Sequence, residues 1–125
     1  MVFEMAKVTK VLLLLKDMVY ESTAPQHATR FARCYRRRGL DVTVFMWGPM
    51  GAVFAKKGKK GAQNYDEKIQ ECLDLGVKFK CCELAAGALG ITQDELIPGV
   101  EIVCTKELTD ALIQYTEEGQ LIMYL

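Results

Sequence analysis

Two cysteines stand side by side in the stretch CCELAAGALG, residues 81–90, where a strand-like run gives way to a helical one. A thiol at such a junction can ligate a metal, form a disulfide, attack as a thiolate, or simply pack. The five cysteines (Cys34, Cys72, Cys81, Cys82 and Cys104) form no CxxC pair, and His27 is the single histidine. No local set of four zinc ligands therefore exists, and no metal is expected. An odd cysteine count argues against a disulfide framework, and a bridge between adjacent residues needs a strained geometry. Nucleophilic chemistry and inert packing remain.

Alternation separates the two thiols. Along residues 77–82 the side chains point to opposite faces in turn, so Val77, Phe79 and Cys81 share an apolar face while Lys78, Lys80 and Cys82 share the other. Cys81 is then the packing residue. Cys82 falls at the strand tip, beside the N-terminus of a helix that starts at Glu83, where free N–H groups and the helix dipole favour a thiolate. A helix terminus contributes about 0.3–1 kcal/mol, and about 2 when partly buried. That lowers a thiol pKa of about 8.5 by roughly one unit, and the adjacent Glu83 works against it. Fuller ionisation needs a further cation, for which Lys16 and His27 are the candidates. Cys81 and Cys104 are secondary thiol candidates. On a strand, Lys78 and Lys80 also imply either an edge position or a face turned to water or another subunit.

The elements that must hold these residues alternate strand and helix. Residues 8–15 form an apolar run suited to a strand covered on both faces. Ser22 or Thr23 can cap a helix with Pro25 in its first turn, and Ala28, Phe31, Ala32 and Tyr35 make one apolar stripe. Cys34 is read as a small core residue of that helix. Arg36, Arg37 and Arg38 suit a solvated C-terminus closed by Gly39. Residues 41–47 are the second strand. The following GPMGAVFAKKGKKG is loop-like at both ends, with a short helical turn at Val53, Phe54 and Ala55 and solvated lysines at 56, 57, 59 and 60. It matches neither GxGxxG nor a GK[ST] phosphate loop. Asn64 or Asp66 opens a helix with Ile69, Cys72 and Leu73 buried, and Gly76 ends it. Residues 77–81 are strand three and 83–89 a short helix. Thr92 with Glu95 makes a capping box. Residues 100–104 are strand four, Thr105 caps a helix with Leu108, Ala111, Leu112 and Tyr115 inward, and 121–125 close the fold.

Strands separated by helices predict one α/β domain over residues 1–125: a three-layer α/β/α sandwich, flavodoxin-like, around a mostly parallel five-stranded sheet. In such sheets, ligands gather beyond the carboxyl ends of the strands. Cys82, Cys104, Lys16, Asp17 and Trp47 fall at those ends, and His27 lies in the first turn of the helix after strand one. The 125 residues are half apolar, with 16 basic and 16 acidic side chains. Zero formal charge gives no support for nucleic-acid binding. The apolar run at residues 11–15 is too short for a membrane span or a signal-peptide core, so a cytoplasmic protein is expected.

The segment GVKFKCCELAAGALGI, followed by ELIPGVEI, resembles the second half of DsrE/DsrF-type proteins of sulfur metabolism, and VTVFMWGPMGAVFAKKG is similar to their strand-two region. The most specific element is the cysteine after Gly76 in GVKFKCC, which corresponds to Cys82; Cys81 and Cys104 lie outside the motif. The turn Met46-Trp47-Gly48-Pro49-Met50 departs from the acidic or polar turn common in the family. The resemblance implies a five-stranded α/β fold, a homo-oligomer (trimer or hexamer), and a persulfide on Cys82 that passes sulfane sulfur to small sulfur-carrier or rhodanese-type proteins, without a cofactor. Two other readings stand beside it: a flavodoxin-like module that binds a nucleotide or other small molecule, and a non-catalytic assembly subunit.

Overall fold

The computed structural model describes residues 7–16, 23–59 and 65–125. Asp17, Ser22, Lys60 and Asn64, named above at a strand end, a helix cap, a loop and a helix start, lie outside the described residues. Strand β1 (Lys10–Leu15) is buried from Val11 to Leu15. It lies parallel between β2 (Asp41–Met46) and β5 (Leu121–Tyr124). Beyond β2 come β3 (Lys78–Cys82) and β4 (Val100–Val103), giving an all-parallel sheet in the order β4-β3-β2-β1-β5. Each leucine of β1 taken fully out of water stabilises the fold by about 1.5–3 kcal/mol, which anchors the sheet at this strand.

Parallel strands need crossovers, and these are right-handed. From β1 to β4 every step runs in the same direction, so the intervening helices share one face: α1 (Ala24–Arg37), α2 (Pro49–Ala55), α3 (Asp66–Asp74) and α4 (Glu83–Ala88). The step from β4 to β5 returns across the sheet and puts α5 (Thr105–Glu117) on the opposite face. Contacts agree with this. On the α1 side, Tyr35 Oη donates to Met123 Sδ at 3.6 Å and Cys72 Sγ on α3 donates to the Thr29 carbonyl at 3.5 Å. On the other side, Ala111 and Tyr115 of α5 line a crevice with Leu12 and Phe45. The Thr92/Glu95 capping box is present, opening a short 3-10 turn at Gln93–Glu95.

Several local expectations are corrected. Strand β3 is not an edge, since it pairs with both β2 and β4. Its lysines are tolerated because α5 covers their face only in part: Lys80 pairs with Glu107 of α5, and Lys78 is exposed. The loop after β2 holds a full two-turn helix, α2, because Pro49 occupies its first turn behind the extended Gly48. Lys59 is not solvated. Its Nζ donates to the carbonyls of Phe54 (3.0 Å) and Lys56 (2.7 Å) and to Asp66 Oδ1 (3.1 Å), which ties the end of α2 to the start of α3. Burial pulls the Lys59 pKa down, and the Asp66 partner opposes that. Cys34 is exposed, since the buried stripe of α1 is Ala24, Pro25, Ala28, Thr29 and Ala32. Arg36 does more than meet solvent: its Nε donates to the Leu75 carbonyl at 2.8 Å and its Nη1 to that of Leu40 at 3.2 Å.

Helix α2 reaches the end of β1 only because two glycines lie at the contact. A Cβ at Gly51 would stand 2.9 Å from the Leu15 carbonyl oxygen, and one at Gly48 would run into that of Lys16. Backbone cannot yield as a flexible side chain can. Gly48→Ala is expected to destabilise the protein by about 1–3 kcal/mol, the usual cost of overpacking, read as a lower urea midpoint at unchanged slope. An unchanged midpoint would mean that α2 moves freely against β1.

Candidate functional site

The carboxyl ends of the strands bring together what the sequence scatters. Strand β3 ends at Cys82, which is itself the N-cap of α4, with φ −65° and ψ 130°. In the register of β3 and β4, Cys82 stands opposite Val103. Cys104 then caps α5 and Thr105 is its first residue. The helices after these two adjacent strands leave to opposite faces, so a cleft opens between their N-termini, as at the switch points of open α/β sheets. The Cys82 thiol lies there.

Its partners are specific. Sγ lies 3.4 Å from Thr105 Oγ1; it makes no side-chain cap hydrogen bond to α4, but the free backbone N–H groups of Ala85 and Leu84 in the first turn lie close enough to favour its thiolate. Burial pushes the pKa of this thiol up, but the Thr105 hydroxyl and then the two N–H groups outweigh burial, and Glu83 opposes them only weakly. The net displacement is downward. Cys81, one residue away, shows what burial does without such donors. It is 0% exposed on the α1 side, and burial, followed by the neighbouring Cys82, pushes it up to about 11. Cys72 is likewise raised to about 11 by burial.

The other candidates are placed elsewhere. Lys16 Nζ sits over the Trp47 ring, 5.7 Å from its centroid, and His27 packs against Phe31 at 5.2 Å. Neither is among the groups that act on the Cys82 sulfur. Cys104 is exposed at the start of α5, next to Thr105. Glu83 opens α4 and is solvent-exposed. Thr105 is the residue that sequence reasoning missed. Its type and position suit a helix cap, yet Cys104 is the N-cap, and the Thr105 hydroxyl makes no hydrogen bond among the described residues other than that to Cys82. Only strand order, which puts β4 beside β3, could have signalled the pairing.

A crevice of about 270 Å³ between α5 and the β2–β3 face is lined by Lys80, Glu107, Asp41 and Asp110 but not by Cys82 or Thr105. No cluster of three or more His, Cys, Asp or Glu side chains able to hold a metal occurs among the described residues. No helix among them is long and apolar enough to cross a membrane.

Comparison with known proteins agrees with this architecture. The sequence model of the DsrE/DsrF-like family matches residues 9–117, and the chain belongs to that family. An uncharacterized protein of Methanopyrus kandleri is 26% identical over 102 residues, which cover 80% of this chain and 84% of that one. The crystal structure of the ychN protein from E. coli superposes with a TM-score of 0.78 at 22% identity, over 94% of this chain and 100% of that chain. A protein of unknown function from Methanobacterium thermoautotrophicum superposes at 0.71 with 18% identity, over 93% of this chain and 99% of the other. These two structures share the three-layer fold.

The opposite displacements of adjacent thiols can be measured. Alkylation rates followed against pH, site by site, are expected to give Cys82 a midpoint below that of a free cysteine, while Cys81 and Cys72 stay protected until near pH 11. Exposed Cys34 and Cys104 will also react, so the midpoint and not the order of labelling is the readout. A Cys82 midpoint above that of a free thiol would overturn the assignment.

Proposed function

We propose that this member of the DsrE/DsrF-like family carries sulfane sulfur as a persulfide on Cys82 and hands it to a partner thiol. One observation carries the reading: the Cys82 sulfur faces a hydroxyl and two backbone N–H groups at the mouth between α4 and α5, while every other buried thiol among the described residues is pushed toward the inert, protonated form. The thiolate is the nucleophile in sulfur exchange.

The chemistry needs no oxidant. The Cys82 thiolate attacks the outer sulfur of a donor persulfide. A bond forms from Sγ to that sulfur, the donor's sulfur–sulfur bond breaks, and the donor leaves as a thiolate. An acceptor thiolate then attacks the outer sulfur of Cys82–S–SH, and Cys82 leaves as a thiolate. The sulfur stays at the same oxidation level throughout, and no metal or organic cofactor enters. Cys82 is only 5% exposed, which shields a loaded sulfur from stray thiols, and Ala85 and Ala86 keep the neighbouring surface small. The Leu84 side chain, 69% exposed beside the thiol, offers an apolar contact to a small sulfur-carrier or rhodanese-type protein. A free, exchange-competent thiol suits the reducing cytoplasm.

Incubation with polysulfide is expected to add one labile sulfur to Cys82, seen by mass spectrometry and removed by a second thiol. Cys82→Ser should abolish loading and stay folded. Cys81→Ser should still load, at a stability cost of about 1–3 kcal/mol for a buried hydroxyl. Loading that survives Cys82→Ser and is lost in folded Cys81→Ser would move the site to the other thiol. Loading indifferent to both would end the relay reading.

A homo-oligomer, trimer or hexamer, forms part of the proposal. Ile113 on α5 and Tyr124 on β5 are 59% and 68% exposed, and Lys78 on β3 is also exposed on the sheet face that α5 covers only in part. Light scattering should give a multiple of the chain mass; a monomer across micromolar concentrations would count against it.

A further inference from the structure

We infer that the Thr105 hydroxyl is a catalytic hydrogen-bond donor to the Cys82 sulfur, and that it tunes this site for handing sulfur on more than for taking it up. The inference rests on the persulfide reading of Cys82 and deepens it.

Two independent observations support it. The first is geometric: Oγ1 lies 3.4 Å from Sγ, across the β3–β4 register that sets Cys82 opposite Val103. The second is that this hydroxyl has no competing duty. A threonine at the start of a helix ordinarily caps it, yet α5 starts from Cys104 with no side-chain cap, and the Thr105 hydroxyl makes no other hydrogen bond among the described residues. Thr105 is half-buried, so bulk water does not readily replace it as a donor.

The direction of the bias follows from the two half-reactions. In uptake, the Cys82 thiolate is the attacking group. A donor to Sγ increases the ionised fraction but lowers the intrinsic nucleophilicity of each thiolate, and the two effects partly cancel. In release, an acceptor thiolate bonds to the outer sulfur, the Sγ–S bond breaks, and the electron pair settles on Sγ. There the hydroxyl proton meets the developing charge, and a better-stabilised thiolate leaves faster. No cancellation occurs in that step. The hydroxyl donates throughout and transfers no proton, so atoms and electrons balance with the donor and acceptor thiols alone.

The experiment compares wild-type protein with Thr105→Val, which keeps the shape and loses the hydroxyl, and Thr105→Ser, which restores it. The first readout is the pH midpoint of Cys82 alkylation, which needs no sulfur chemistry. Thr105→Val should raise it by about one pH unit, a roughly tenfold loss of thiolate at neutral pH, and Thr105→Ser should return it. The second readout is single-turnover sulfur transfer. Release from pre-loaded protein to a small thiol should slow about three- to fourfold in Thr105→Val at every pH, whereas uptake measured above both midpoints should not slow. An unchanged midpoint in folded Thr105→Val would overturn the inference whether or not the protein carries sulfur. So would release and uptake slowing equally, or Thr105→Ser behaving like Thr105→Val. Should Thr105→Val fail to fold, Thr105→Ala gives the same two readouts. A midpoint that shifts as stated in a protein that never loads sulfur would instead sink the relay reading and the release bias with it, leaving only the hydrogen bond.

Discussion

Parallel strands can be joined only by crossovers, and crossovers between twisted strands take one hand. That constraint decides where everything of interest in this protein lies. The chain steps outward from β1 to β4 with its helices on one face, then must return over the other face to place β5 beside β1. The reversal happens once, after β4. At that point the last residue of β3 and the first of α5 become neighbours although 23 positions separate them in the chain. Cys82 and Thr105 meet because the sheet has this order. With β4 on the far side of β5, the same residues would be strands apart.

Burial and hydrogen bonding compete at that meeting point, and Cys81 and Cys82 show both outcomes. Both thiols are buried, in consecutive residues of one strand. Removing a thiolate from water disfavours the charged form, and Cys81 follows that rule because its face offers only apolar packing. Cys82 departs from it because a side-chain hydroxyl and two backbone N–H groups stand in for water. Such donors are fixed in advance by the fold, so they need no reorganisation when charge appears on the sulfur. The helix supplying the N–H groups is only six residues long, Glu83–Ala88. Its value here is local: the free N–H groups of its first turn, at Leu84 and Ala85, favour negative charge on the sulfur without closing a cap hydrogen bond to it.

Charged side chains elsewhere shape the fold around the site. Lys80 on an interior strand would be costly if unpaired, and Glu107 on α5 answers it. Lys59 is held by two carbonyls and Asp66, with all three of its donors engaged. Its side chain is 3% exposed, so this is a buried ammonium whose desolvation its three hydrogen bonds offset only in part. The contact fixes how α2 hands over to α3, and α2 in turn packs beside α4, the helix that Cys82 caps.

The sequence by itself determined the alternation of strands and helices, the continuous burial of β1, the Thr92/Glu95 capping box, and the opposite facing of Cys81 and Cys82. These are local properties, written in period-two and helical patterns and in short-range capping chemistry. It misjudged side chains whose partners are distant. Lys59 read as solvated because Asp66 and the end of α2 come together only in three dimensions, and Cys34 read as core because its helix presents a narrow stripe. Lys78 and Lys80 left open an edge or a face turned to water or another subunit; β3 lies between two strands, and the partial cover by α5, which leaves Lys78 exposed, is what admits them. Thr105 read as a cap because its type and position allow that, and its actual partner is a thiol on the neighbouring strand. Pattern along a chain encodes which face a residue takes. It does not encode which strand lies alongside, because strand order is a property of how crossovers stack. Only the tertiary structure could therefore decide that the hydroxyl of Thr105 faces the sulfur of Cys82.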